Sequence, residues 1–281
     1  MTSSAANRAM TPSGTTLSSR VLRGAVTPRW LYPLAAIAVI LVALPLIGIF
    51  ARIEWDGFWG RVTSPEALTA LGLSFRTATI STALCLLLGV PLGVALHRMT
   101  WRGTAVLRAV VLTPLVLPPV VGGLALLFAF GRRGLLGQHL EAWGISIAFT
   151  TTAVVLAQTF VAMPFTVFAV ESALASRGDR QDAIAATLGA SPTRVFTRVT
   201  LPALLPALVV GGVLAFARAL GEFGATLTFA GSLQGVTRTG PLLIYLSRET
   251  DQQTAVALGL VLVVVAIAVV AIAFRPLSRA L

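Results

Sequence analysis

Six stretches of this chain carry no charged residue and are each near or above the length that crosses a bilayer: residues 33–51, 77–96, 109–130, 142–170, 200–217 and 252–274. An α-helix rises 1.5 Å per residue, so about 20 apolar residues cover roughly 30 Å of hydrocarbon. In that solvent every backbone N–H and C=O must be paired within the segment, which for stretches of this kind means helices. The expected fold is all-α, a polytopic membrane protein with six transmembrane helices. Pro91, Pro114, Pro118, Pro119 and Pro164 are expected to interrupt them, and Gly89 with Gly93 forms a small-xxx-small pair that lets a neighbouring helix come close. The first stretch is too long for a signal-peptide core and no small-x-small cleavage site follows it, so it is read as retained.

Charge excludes several classes of chemistry. Only 11% of residues are charged, against about 25% in soluble domains. All 21 basic residues are arginine. Without lysine the chain has no Walker A loop and no Schiff-base site, so ATP, if used, must bind another chain. No catalytic residue is assigned. The arginines are scattered between apolar stretches rather than run together with aromatics, which argues against nucleic acid despite a pI near 11.7. Cys85 stands alone in an apolar run and reads as a small buried hydrophobe, while His97 and His139 have no ligand spacing around them; neither a metal nor a cofactor is expected.

Residues 1–30 are rich in Ser, Thr and Ala, with Arg8, Arg20, Arg23 and Arg29 and no acid, and read as a disordered basic tail before a transmembrane domain at 31–281. Placing the N-terminus in the cytoplasm puts thirteen arginines on cytoplasmic segments and six (Arg52, Arg61, Arg132, Arg133, Arg238, Arg248) outside, with Arg76 and Arg218 at membrane depth or near its edge. The positive-inside rule therefore favours both termini in the cytoplasm.

The longest cytoplasmic connection, about 176–202, contains RGDRQDAIAATLGASPTRVFTRVTLP. Asp182 to Leu188 is a short Ala-rich helix former, Gly189 stands where a C-terminal cap belongs, Ser191 offers an N-cap, and Pro192 opens a second helix that Pro202 is expected to end. Such an elbow packs either on its own spans or on a partner.

This segment resembles the EAA loop of ABC importer permeases, on Asp182, Ala185, Ala186, Leu188, Gly189 and Leu201-Pro202. LTPLVLPPVVGGLALLFAFGRRGLLG at 112–137, FARALGEFGATLTFAG at 216–231 and TRTGPLLIY at 237–245 are similar to the molybdate and sulfate subgroup of that family. The departures are Asp182 for the more usual Glu, Ile184 for a small residue and Ala186 for Arg. The resemblance implies a type I permease fold, a bacterial inner-membrane location and a homodimer of this chain. It also implies two ATPase subunits docking on the elbow residues, and an extracytoplasmic binding protein that delivers molybdate, tungstate or sulfate.

Arg218 and Glu222 stand one turn apart within the spans. They either neutralise each other and tie the fifth span to its neighbours, or line the translocation path or its gate. Thr237 and Arg238 either offer donors to an oxyanion near the outer mouth or belong to a solvated outer loop or a binding-protein contact. A different class, a proton-coupled anion carrier working through Glu222, would need no elbow.

Overall fold

The computed structural model describes residues 28–274, so the expected tail falls, up to residue 27, outside the described residues. The chain divides into two units, residues 1–48 and 49–281. Helix α1 (Leu31–Ala51) begins in the first; it is apolar along its length and none of its residues is buried.

The second unit is a bundle. In chain order it holds α2 (Phe58–Val62), α3 (Pro65–Arg98), α4 (Thr104–Leu112), α5 (Pro119–Phe130), α6 (Gly137–Ala142) and α7 (Thr151–Arg177). There follow α8 (Arg180–Thr187), α9 (Pro192–Val195), α10 (Leu201–Leu220), α11 (Gly224–Ala230), α12 (Gly240–Thr250) and α13 (Gln252–Phe274). Among the described residues five helical stretches are long and apolar enough to cross a membrane (α1, α3, α7, α9 running on through α10, and α13), and a sharply bent pair makes a sixth if its two arms count as one span.

That pair is the expected span at 109–130. The chain bends by 115° between its arms, Thr104–Leu115 and Pro119–Phe130. Pro118 and Pro119 remove two successive N–H donors, and a residue before proline is driven out of the helical region; Pro118 itself is extended, with φ −53° and ψ 132°. Pro91 and Pro164, by contrast, do not interrupt anything: they lie inside unbroken α3 and α7. A single proline within a packed bundle is tolerated where neighbours re-satisfy the freed backbone.

Caps move two other boundaries. Helix α3 starts well before residue 77 because Ser64 caps it, its hydroxyl accepting the Ala67 N–H at 3.3 Å, with Pro65 in the first turn and Glu66 beside the positive end of the dipole. Helix α7 starts later than residue 142. Gly144 and Phe149 take left-handed φ of 76° and 62°, and Thr150 then caps the helix through Ala153 N–H at 3.4 Å.

Helix α7 is the axis of the unit, buried on several sides through Val154, Ala157, Val161, Ala162, Val167 and Val170. Helices α3 and α10 pack on it and on each other, and α5 with α11 covers another flank. The α3–α7 approach depends on the glycine pair: a methyl group on Gly93 would lie 2.9 Å from the Val170 side chain, and one on Gly89 3.2 Å from Thr166. Gly93→Leu is therefore expected to lower the thermal midpoint of the purified protein, overpacking of this kind costing about 1–3 kcal/mol. An unchanged midpoint would mean that the two helices are not held this close.

Candidate functional site

The elbow forms as its sequence dictates on one side and differently on the other. Helix α8 ends in a Schellman turn, with Gly189 at φ 84°, its N–H on the Ala186 carbonyl at 3.0 Å and Ala190 N–H on Ala185 at 3.1 Å. Ser191 stands at the N-cap of α9 without a side-chain capping bond. Pro202 does not end the second helix. A π-turn at Phe196–Thr200 carries α9 into α10, with Leu201 N–H reaching back five residues to Phe196 O. Pro202 enters the first turn of α10, and the widened turn beneath it accommodates its ring and missing N–H.

The residues expected to serve one role divide into two. Leu188 is 83% exposed and Ile184 51%, so the elbow presents an apolar knob, with Ala186 and Gly189 exposed beside it and Ala185 half-buried. Asp182 faces the other way. Its buried carboxylate accepts from Arg98 Nη2 at 2.8 Å, Arg177 Nη2 at 2.6 Å and the Thr200 hydroxyl at 3.0 Å. One carboxylate thus ties α8 to the end of α3, the end of α7 and the stem of α10. Beside it, Arg108 grips Glu171 through Nε at 2.9 Å and Nη2 at 2.7 Å and also reaches Leu96 O, which fastens α4 to α7 and α3. Arg98, Arg177, Thr200, Arg108 and Glu171 were not singled out from the sequence, because their partners lie up to 84 positions away.

The charged pair within the spans sits at a break in the helix rather than on one face of it. Helix α10 ends at Leu220 and α11 starts at Gly224, with Glu222 between them and 1% exposed. One carboxylate oxygen pairs with Arg218 Nη1 at 2.6 Å; the other accepts the Ala225 N–H at 2.8 Å, in the first turn of α11. The Arg218 side chain keeps 29% of its surface open. Glu222 therefore holds the break in shape and offsets the Arg218 charge, while the guanidinium remains reachable.

Beyond α11 the loop at 231–239 is held from within. Buried Thr237 accepts the Leu233 N–H at 2.8 Å, and Arg238 pairs with Glu66 at 2.6 Å and reaches Ser232. The next peptide is fixed as well, Gly240 N–H donating to Ser74 at 2.7 Å. Arg132 and Arg133 are exposed, Arg132 with Glu141 at 3.7 Å.

Among the described residues the chain is an apolar helical bundle with a structured elbow and a charged break at the end of one long helix. Residues 86–281 match the family of binding-protein-dependent transport system inner membrane components. The molybdenum transport system permease ModB of Mycobacterium tuberculosis is 60% identical over 231 residues, 82% of this chain and 88% of that protein. The Escherichia coli K12 ModB is 43% identical over 190 residues, 67% of this chain and 82% of that one. Among solved structures, a bacterial alginate ABC transporter shares the fold with a TM-score of 0.69 at 18% identity, over 94% of this chain and 98% of that one. The MetNI methionine ABC transporter, in inward-facing conformations, gives 0.61 at 18% identity over 81% and 99%. The chain belongs to the family of binding-protein-dependent transport system inner membrane components, and is a multi-pass ABC importer permease of the inner membrane.

Proposed function

We propose that this permease carries molybdate into the cytoplasm as a homodimer, working with two ATPase subunits and an extracytoplasmic binding protein. The observation that carries the reading is the 60% identity to a permease named for molybdenum transport, over 82% of the chain. Sulfate is the second reading, since the sulfate transport permease CysT of Salmonella typhimurium is 31% identical over 78% of the chain.

Both termini lie in the cytoplasm in this reading, which puts the elbow on the ATPase side. Leu188 and Ile184 then seat in the ATPase subunit, Ala185, Ala186 and Gly189 shape the knob, and Asp182 holds it at a fixed angle to the spans. ATP binding draws the ATPase pair together, the elbow follows, and α7 and α10 swing the path open to the outside. Hydrolysis restores the inward-facing state. Arg218 and Glu222 border the path, with Thr237 and Arg238 bracing its outer end. A proton-coupled carrier has no use for an exposed leucine on a latched elbow, which disfavours that class.

The test is uptake by proteoliposomes holding the chain with its ATPase and binding protein, with molybdate, tungstate and sulfate in competition. The expected result is uptake that requires ATP and all components, with molybdate the strongest competitor. Uptake by the chain alone, driven by a proton gradient, would overturn the reading.

A further inference from the structure

Arg76 is a second arginine on a membrane-crossing helix, and nothing described so far accounts for it. It lies on α3, the one charge between Glu66 and His97. The face of α3 that packs inward carries Leu71, Ser74, Thr77, Ala78 and Ser81; Arg76 is on the opposite side and exposed. None of the ion pairs among the described residues involves it.

Its depth follows from what surrounds it. On one side of it along α3, Leu71 meets Leu262 across Gly240; on the other, Ala78 packs in a cluster that again includes Leu262, together with Val265. Leu262 is near the middle of α13, a helix without a charged residue. At 1.5 Å per residue it stands about 15 Å from one end and about 18 Å from the other. Arg218 shares this level: Ala215, Ala219 and Leu220 belong to the same cluster as Ala78, and Phe75 and Phe216, neighbours of the two arginines, stack at 6.3 Å.

A guanidinium facing lipid at that depth is costly and too deep to reach a headgroup layer. Such residues face a water-filled cavity or a partner. The side of α3 that bears Arg76 turns away from the packed face of the bundle, which leaves it open to water or to a second copy. Glu222 offsets Arg218 but no acid offsets Arg76, which leaves one net positive charge per chain at this level. We propose that Arg76 lines the translocation path and, with the half-open Arg218, forms the positive level through which a tetrahedral oxyanion passes. The fork of N–H donors on each arginine suits such an anion, and in a dimer the level would hold four guanidinium groups. This rests on the oxyanion-import reading above.

The experiment uses the full complex in proteoliposomes. Cys85, the only cysteine of the chain and buried, is first replaced by Ser, and Arg76→Cys is then exposed to small water-soluble thiol reagents of either charge. The expected result is modification that changes between nucleotide-free and ATP-trapped complexes. Arg76→Gln should cut uptake about tenfold or more, as loss of one charged hydrogen bond to the cargo would, with binding-protein-stimulated ATPase retained and Arg76→Lys partly restoring transport. If Arg76→Cys fails to assemble, Thr79→Cys, exposed about one turn further along α3, carries the same labelling. Labelling only by lipid-soluble reagents, or wild-type uptake in Arg76→Gln, would overturn the proposal. The labelling does not depend on which anion is carried, so wild-type liposomes that take up no oxyanion would defeat the import reading and leave the path assignment to be judged by labelling alone.

Discussion

Glu222→Gln is expected to lower ATP-dependent uptake about tenfold or more while leaving the amount of assembled complex near that of the parent. The substitution separates two jobs of one side chain. A glutamine oxygen still accepts the Ala225 N–H, so the first turn of α11 keeps its acceptor. The charge is lost, however, and Arg218 is left uncompensated near the end of α10. An unpaired guanidinium there recruits water or an anion and holds the break in one state. Glu222→Ala removes the acceptor as well and should also reduce the amount of folded protein. Uptake by Glu222→Gln at the parent rate would rule out any part for this carboxylate in transport.

Asp182→Ala is the second large effect. It removes the shared partner of Arg98, Arg177 and Thr200 at once. Truncating one member of a buried ion pair costs about 3–5 kcal/mol; with Arg98 itself 43% exposed, about 2–3 kcal/mol is the reasonable expectation. Two positive charges are then left facing each other across the base of the elbow. The expected outcome is a complex that binds ATP yet loses most binding-protein-stimulated ATPase and uptake, because the elbow no longer holds its angle to α3 and α7. Asp182→Glu should recover part of both, the longer side chain keeping the charge. Full coupling in Asp182→Ala, measured as uptake per ATP hydrolysed, would sink the role given to this carboxylate.

The spans were legible because hydrocarbon imposes length and apolarity directly on the sequence. The Gly189 turn was legible because a left-handed cap favours glycine, and the Gly89–Gly93 approach because only small residues allow it. Prolines were read too uniformly: Pro91 and Pro164 pass unnoticed in packed helices, whereas the Pro118–Pro119 pair bends the chain sharply. Pro202 misled because a π-turn, which has no simple sequence signature, can absorb it. The inward turn of Asp182 and the Glu66–Arg238 pair could not be read at all, since both depend on partners brought together by packing of distant helices.

The π-turn also sets how motion leaves the elbow. Helix α8 is clamped to α3 and α7 through Asp182, while the stem at Phe196–Thr200 is wound more loosely and Pro202 supplies no N–H to the turn below it. Thr200 pins that loose stem to the same carboxylate. A displacement of the elbow, as proposed above, would turn α10 about the Thr200 contact rather than slide it along its axis. In the proposed coupling the elbow would work as a crank rather than a piston, and the far end of α10, where Arg218 and Glu222 stand, would sweep the widest arc.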